Sequence, residues 1–309
     1  GGDRVTFYDP LLEQQYVPTS REVGGVDIGN PSAREAEAIR QLQREVWASE
    51  PDYLYPADIH SIGFGAGTSL VGRIQGELAG FLFGFYKFGG PPLPEPWARK
   101  FGGELRVESQ LLGVRARHRR SGLGYILKRA QAERARREGI GVVNWTVDPL
   151  QFANAVLNFQ RLKAVALDFY PNLHPFRNAL NQVPASRLGI TWLVQSERVQ
   201  RALAAPAREP AIDLHGDRSV CRLNEGWARL DLEADDPVVA IEVPADWTAL
   251  QGASLEEALR WREATDRLFQ HYLAGRERRY VITGAATDQE RRFLIAQRVE
   301  PGLLESLAA

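Results

Sequence analysis

The chain of 309 residues, 44% hydrophobic and 25% charged, has an ordinary globular composition, which excludes a mainly disordered or fibrous protein and leaves room for two domains. Its 38 basic residues balance 39 acidic ones, so there is no whole-protein field to hold nucleic acid or an anionic membrane, and any anion site must be local. The single cysteine, Cys221, cannot close an internal disulfide, the first residues lack a signal-like apolar run and no stretch is long enough to span a membrane, so a cytoplasmic location is expected.

In chain order, residues 24–28 read as a short strand, and Asn30, Pro31 and Ser32 supply the cap and first-turn proline of a helix ending at Trp47. Ala36, Ile39, Leu42 and Val46 form its apolar face. Segments 69–74 and 78–88, parted by Gln75, Gly76 and Glu77, predict a hairpin; the proline-rich 89–96 predicts a loop and 105–114 a strand. The helix over 121–139 carries Leu123, Ile126, Leu127 and Ala130 on one side, and is followed by a strand at 142–147, stopped by Asp148 and Pro149, and a helix at 152–162. Strands at 165–170 and 188–194 are joined by a loop carrying Pro171, Asn172, His174, Pro175 and Asn178, and a linker follows around 204–210. Beyond it the pattern predicts strands at 220–232 and 238–243, a helix at 255–273 and a hairpin of 280–283 with 293–297. The expected fold class is α/β with a mixed sheet, as a domain over 1–204 and a smaller α+β domain over 205–309 that weakly echoes the first.

The chemistry sits in Leu112-Gly113-Val114-Arg115-Ala116-Arg117-His118-Arg119-Arg120-Ser121-Gly122-Leu123-Gly124, where an apolar strand runs through a small-residue turn into an amphipathic helix. Free N–H groups of such a turn converge on one spot, the helix dipole adds positive potential, Arg119 and Arg120 add full charges, and Gly122 and Gly124 permit close approach, so a pyrophosphate would be held there. A dinucleotide-binding reading fails because the glycines at 63, 65 and 67 precede a strand instead of following one.

This segment resembles motif A of the GNAT superfamily of acyl-CoA-dependent N-acyltransferases, and the general resemblance covers about 23–194. The resemblance implies that coenzyme A is held by Val114 and by Arg119, Arg120, Ser121, Gly122, Leu123 and Gly124, with a bulge at Gly113 and an N–H of Leu112 or Val114 polarising the thioester carbonyl. Trp145-Thr146-Val147-Asp148-Pro149-Leu150, Asn154-Ala155, Leu157-Asn158 and Tyr170-Pro171-Asn172 are similar to a GNAT subgroup with a carboxy-terminal extension, some of whose relatives are associated with N-succinylation of amino acids.

Acyl transfer to an amine needs a base for the ammonium and an acid for the thiolate. Glu108, on the strand leading into the motif, is the expected base, its basicity raised by burial; the competing readings are a solvent-facing strand residue or a role for Glu104. Where the family often carries the acid tyrosine, this chain has Phe159, which cannot donate a proton, so Tyr170, water or a loss of activity are the alternatives, and Tyr170 also fits as a packing residue at a strand end. Asn154 and Asn158 fall at helical spacing on one face, suited to pantetheine or the acceptor, or else to a cap and a solvent contact. No metal is expected, because five histidines without paired spacing and one cysteine make no ligand set. Arg134, Arg136 and Arg137, interleaved with Glu133 and Glu138, read as a solvated face rather than a nucleic-acid stripe, and His118 as solvated.

The expectation is therefore an N-acyltransferase that passes acetyl or succinyl from acyl-CoA to a primary amine of a small molecule in a ternary complex. The alternative is a GNAT-fold module that senses acyl-CoA or binds a partner without catalysis. The second domain is left with two roles, closing the site or supplying a homodimer surface.

Overall fold

The structure is a computed structural model that describes residues 15–16, 18–47, 53–174, 181–205, 209–274 and 279–309. In chain order its first elements are β1 (Arg21–Val23), β2 (Val26–Gly29), α1 (Ala33–Trp47), β3 (Gly67–Ile74), β4 (Glu77–Phe88), α2 (Glu95–Phe101), β5 (Leu105–Val114) and α3 (Leu123–Arg137). Next come β6 (Val142–Val147), α4 (Phe152–Ala155) with a π-helical continuation (Val156–Arg161), β7 (Val165–His174), β8 (Ala185–Leu193) and α5 (Glu197–Ala204). The remainder holds β9 (Ile212–Asp213), β10 (Cys221–Arg222), β11 (Asn224–Glu225), β12 (Arg229–Leu230), β13 (Val238–Val243), α6 (Trp247–Ala253), α7 (Leu255–Tyr272), β14 (Tyr280–Asp288), β15 (Arg291–Arg298) and α8 (Pro301–Leu307).

Two compact units result, one of residues 1–86 with 109–134 and the other of 87–108 with 135–309. They cut the chain differently from the boundary expected at residue 204, because β7 and β14, from either side of it, are antiparallel neighbours in the second unit. The first unit carries β1, β2, β3 and β4 side by side with the end of β5. Ser32 and Glu35 cap α1 reciprocally: Glu35 N–H donates to Ser32 Oγ at 3.2 Å and Ser32 N–H to Glu35 Oε1 at 2.9 Å. Ile39 and Leu42 of α1 then bury against Val71, Leu78 and Phe81. Gln75 and Gly76, both at positive φ, make the tight turn between β3 and β4. At 24–28 the single expected strand is a hairpin, because Gly24 and Gly25 at positive φ turn the chain between β1 and β2.

In the second unit the strands follow the order β5, β6, β8, β7, β14, β15, β13, β10, with β9 beside β14. The parallel pairing of β5 with β6 joins Val107 to Val143 and Glu108 to Asn144. Trp97, Val142, Val165, Leu167, Leu193 and Val281 form one of its cores. Three expectations are corrected. The stretch 89–96 is not all loop, since α2 starts after Pro94, a placement suited to proline at a helix entrance. No continuous strand covers 220–232, because the Asn224 side chain bonds Gly226 O, Glu242 O and Glu242 N–H and interrupts the run. And β7 continues past residue 170 to His174, with an irregularity after Tyr170. Pro175, Asn178 and residues 206–208 of the expected linker lie outside the described residues.

An ion pair ties the end of β6 to α7. Arg262 donates to both Asp148 oxygens, at 3.1 and 2.6 Å, and both side chains are 4% exposed. Asp148 Oδ1 also accepts Leu150 N–H at 2.9 Å, and the guanidinium lies 5.0 Å from the Trp247 ring centre. Asp148→Asn leaves that guanidinium buried without its charge, and the expected loss is about 3–5 kcal/mol in urea unfolding. Pairing it with Arg262→Met should restore most of the loss.

Candidate functional site

In the first unit the motif forms a built turn. Leu123 of the first turn of α3 sits on β3 and β4 where both strands carry glycine: a Cβ at Gly72 would lie 2.5 Å, and one at Gly80 2.9 Å, from its methyl carbons. Gly113 is required by Phe81, whose ring would lie 2.7 Å from an added Cβ. These contacts fix where the helix begins relative to the strand end. Between them a 3-10 turn over Ala116–His118 leads to Arg120 at φ 68° and Gly122 at φ 84°. Ser121 N–H bonds His118 O and Leu123 N–H bonds Ser121 Oγ, whereas the N–H groups of Arg120, Gly122 and Gly124 have no partner among the described residues.

The cations of the turn divide into two sets. Arg115 is committed to Leu78 O at 2.8 Å and to Glu45 at 3.0 Å, and Arg117 to Glu77. Arg119 and Arg120 are exposed and form no ion pair among the described residues. Two positive charges and three uncommitted amides therefore meet at one helix start, an arrangement that suits a phosphate. Leu112 and Val114 are half-buried against the core cluster that includes Leu123.

His60, which sequence reasoning passed over for want of any spacing signal, lies in the same unit. It is 8% exposed, its Nδ1 is 2.6 Å from Ser69 Oγ and its ring stands edge-on to Phe83. Burial pushes its pKa down to about 4, with Asp58 opposing, so the imidazole is neutral at neutral pH.

In the second unit Glu108 is not buried as expected. Its carboxylate is 37% exposed and takes a bond from Lys87 Nζ at 2.5 Å. Glu104 is exposed. The register places Glu108, Asn144 and Thr146 on the sheet face that also carries Gly189, Arg187, Asp168 and Tyr170. Tyr170 is not at a strand end but within β7, opposite Arg187. Three strand spacings, about 14 Å, separate β5 from β7, and the register puts Glu108 level with Thr191 but Tyr170 level with Arg187, four residues along β8, so the two side chains are not brought together on one reacting atom.

Phe159 is 1% exposed and belongs to the core. Asn154 and Asn158 do not share an environment: the helix widens to π geometry at Val156, leaving Asn154 exposed and Asn158 4% exposed. The Asn158 amide has no hydrogen-bond partner among the described residues. Of the basic stripe on α3, Arg136 is bonded to Gln200 at 2.9 Å within the second unit, and Glu133 pairs with Arg21 at 3.0 Å within the first. Among the described residues no group of His, Cys, Asp and Glu could hold a metal ion, and no helix is long and apolar enough to cross a membrane.

Residues 36–161 match the acetyltransferase (GNAT) family. No curated protein matches the sequence. Among solved structures the chain is similar to the ribosomal-protein-S18-alanine N-acetyltransferase from Escherichia coli, at 11% identity over 55% of this chain and 94% of that one, with a TM-score of 0.40. It is also similar to the IAA acetyltransferase from Bacillus cereus, at 15% identity over 54% of this chain and 99% of that one (TM-score 0.39). A third is NAA60 of Arabidopsis thaliana in complex with acetyl-CoA, at 15% identity over 54% of this chain and 98% of that one (TM-score 0.44). Residues 36–161 are thus a GNAT acetyltransferase domain, within a mixed α/β fold.

The buried neutral imidazole has a thermodynamic signature. The His60 pKa is lower in the folded chain than the unfolded value of 6.5, so its contribution to stability is complete above pH 6.5 and is lost as pH falls toward about 4. His60→Gln should flatten the acid side of a melting-temperature profile across that window, with the difference from wild type shrinking as pH falls.

Proposed function

We propose that the protein transfers an acyl group from acyl-CoA to the primary amine of a small molecule, directly and without a covalent enzyme intermediate. The observation that carries this reading is the first-unit turn, where the amides of Arg120, Gly122 and Gly124 and the charges of Arg119 and Arg120, without partners among the described residues, lie at the start of α3. The proposed binding set for coenzyme A is Arg119, Arg120, Ser121, Gly122, Leu123 and Gly124 at the pyrophosphate, with Leu112 and Val114 along the strand before it. Asn158, whose side-chain amide has no hydrogen-bond partner among the described residues, is proposed for pantetheine, with Asn154 as a weaker outer contact.

Glu108 is the proposed base. Its partial exposure lets it reach an incoming ammonium, and Lys87 must yield the carboxylate for that step. An N–H of Leu112 or Val114 is proposed to donate to the thioester oxygen as negative charge grows on it. Phe159 can supply no proton and Tyr170 is not brought together with Glu108, so the departing thiolate is assigned its proton from water and Tyr170 a place in substrate contact. A second reading, a non-catalytic acyl-CoA-binding module, is favoured by the same Phe159 and by the commitment of Glu108 to Lys87.

Calorimetric titration with acetyl-CoA tests the cradle: binding is expected for the wild type and lost in Gly122→Trp, which combines a bulky side chain with a positive-φ backbone. Absence of binding to the wild type would end both readings. Glu108→Gln should lower kcat about 10²–10⁴-fold while leaving the acetyl-CoA Kd unchanged. Unchanged turnover would remove Glu108 as base, and acetyl-CoA binding without turnover on any amine would favour the non-catalytic module.

A further inference from the structure

Arg187, in the second unit, is a guanidinium without a carboxylate partner among the described residues. Its Nε donates to Thr146 Oγ1 at 3.1 Å and its Nη2 to the Thr146 carbonyl at 2.7 Å, and it forms no ion pair among the described residues. Only two of its five N–H donors are engaged, and the Nη1 edge is not sealed from solvent. The carboxylates around it form no ion pair with it among the described residues. Asp148 is held through both oxygens by Arg262, and Asp266 accepts from Ser186 Oγ at 2.8 Å, next along β8 and therefore on the opposite face of the strand. Asp168, on the same face across Gly189, makes a contact of its own, while its Oδ2, like Asp266 Oδ1, is buried with no hydrogen-bond partner among the described residues. Burial is the largest influence on the Arg187 pKa and pushes it down, with Asp148 opposing and Arg262 adding to the effect. A cation largely removed from water and held only by neutral oxygens carries a desolvation cost that a bound anion would offset.

The setting is rigid and shaped. Arg187 lies on β8, flanked by β6 and β7, and its side chain is braced by Thr146. Gly189, two residues on, lets the Asp168 and Tyr170 side chains lie across the strand, since an added Cβ there would come within 2.9 Å of Asp168 Cβ and 3.0 Å of Tyr170 Cε2. Arg106, the other half-buried guanidinium of this face, donates from Nη1 to Pro91 O and Asn144 Oδ1, its Nε is buried with no hydrogen-bond partner, and it too forms no ion pair among the described residues. A fixed fork with one free edge matches the planar geometry of a carboxylate better than that of a neutral amide or a thioester.

We infer that Arg187 receives a carboxylate of the small substrate, so that one of the two reactants is an acid. The carboxylate belongs either to the acceptor, as in an α-amino acid, or to the acyl group, as in succinyl. The identity of the reactants rests on the acyl-transfer reading, whereas the carboxylate site does not.

The test uses the full chain as wild type, Arg187→Gln and Arg187→Lys. Melting temperature and calorimetric affinity are measured with a panel of L-α-amino acids against their α-carboxamides, and with succinyl-CoA against acetyl-CoA. In one arm the wild type is expected to prefer the acid by about tenfold or more, and that preference should fall to near unity in Arg187→Gln and be partly kept by Arg187→Lys. Preference in the amino-acid arm names the acceptor as the acid; preference in the thioester arm names the donor. Equal binding of acid and neutral partners in both arms, or a preference unchanged in Arg187→Gln, overturns the inference. If Arg187→Gln does not fold, Arg187→Lys decides: an undiminished preference overturns the inference, because the planar fork would then be unnecessary. An acid preference dependent on Arg187 in a protein that binds no acyl-CoA would retire the acyl-transfer reading and leave the carboxylate site standing.

Discussion

The pairing of Asp148 with Arg262 is the interaction on which the second unit turns. It fastens the end of β6 to the middle of α7 across 114 residues of sequence, with both charges almost wholly out of water. Such a pair adds little net stability over an apolar equivalent, but it tolerates few alternatives, because any other register of β6 or rotation of α7 would strand a charge. The bond from Leu150 N–H and the Trp247 ring add to the pair, although Arg262 Nε is buried with no hydrogen-bond partner among the described residues. Arg187, whose charge feels both members of the pair, shows the contrast: Asp148 is held by Arg262, and the second cation is hydrogen-bonded to neutral oxygens.

The first unit depends on backbone shape more than on charge. Three glycines on three adjacent strands are explained by Leu123 seated over Gly72 and Gly80, the Gly113 carbonyl close to Gly80, and Phe81 against Gly113. Arg120 takes a positive φ that costs a non-glycine residue roughly 1 kcal/mol, and a turn keeps such a residue where its amide direction is worth the strain. The cradle is therefore held by packing beneath it, and its arginines add charge to a shape that exists without them.

How much of this was legible in the sequence varies with the range of the interaction. The strands at 105–114, 142–147 and 238–243 could be read to the residue because each is an apolar run closed by turn or breaker residues. The cradle was legible for the same reason: its chemistry is local backbone chemistry, written in glycines between a strand and a helix. The α2 helix was hidden behind prolines that usually mark loops but here open a helix, and the break at Asn224 depends on side-chain bonds to Glu242, 18 residues away. Side-chain environments were the least legible. Glu108 meets Lys87 from 21 residues away and Arg187 meets Thr146 from 41, and no periodicity announces either partner.

The π-helical stretch at Val156–Arg161 has an evolutionary and practical consequence. A π turn is an α-helix that has absorbed one residue more than its pitch accommodates, with Leu162 N–H reaching back to Leu157 O. The strand that follows is anchored by its own ladder, so the surplus is stored inside the helix instead of being passed on to β7. Chains that differ by one residue between 155 and 162 could therefore keep the same sheet while turning a different side chain inward at the place of Asn158. Aligning such chains without a gap at this point would compare an inward amide with an outward neighbour, and would assign chemistry to the wrong position in every sequence beyond it.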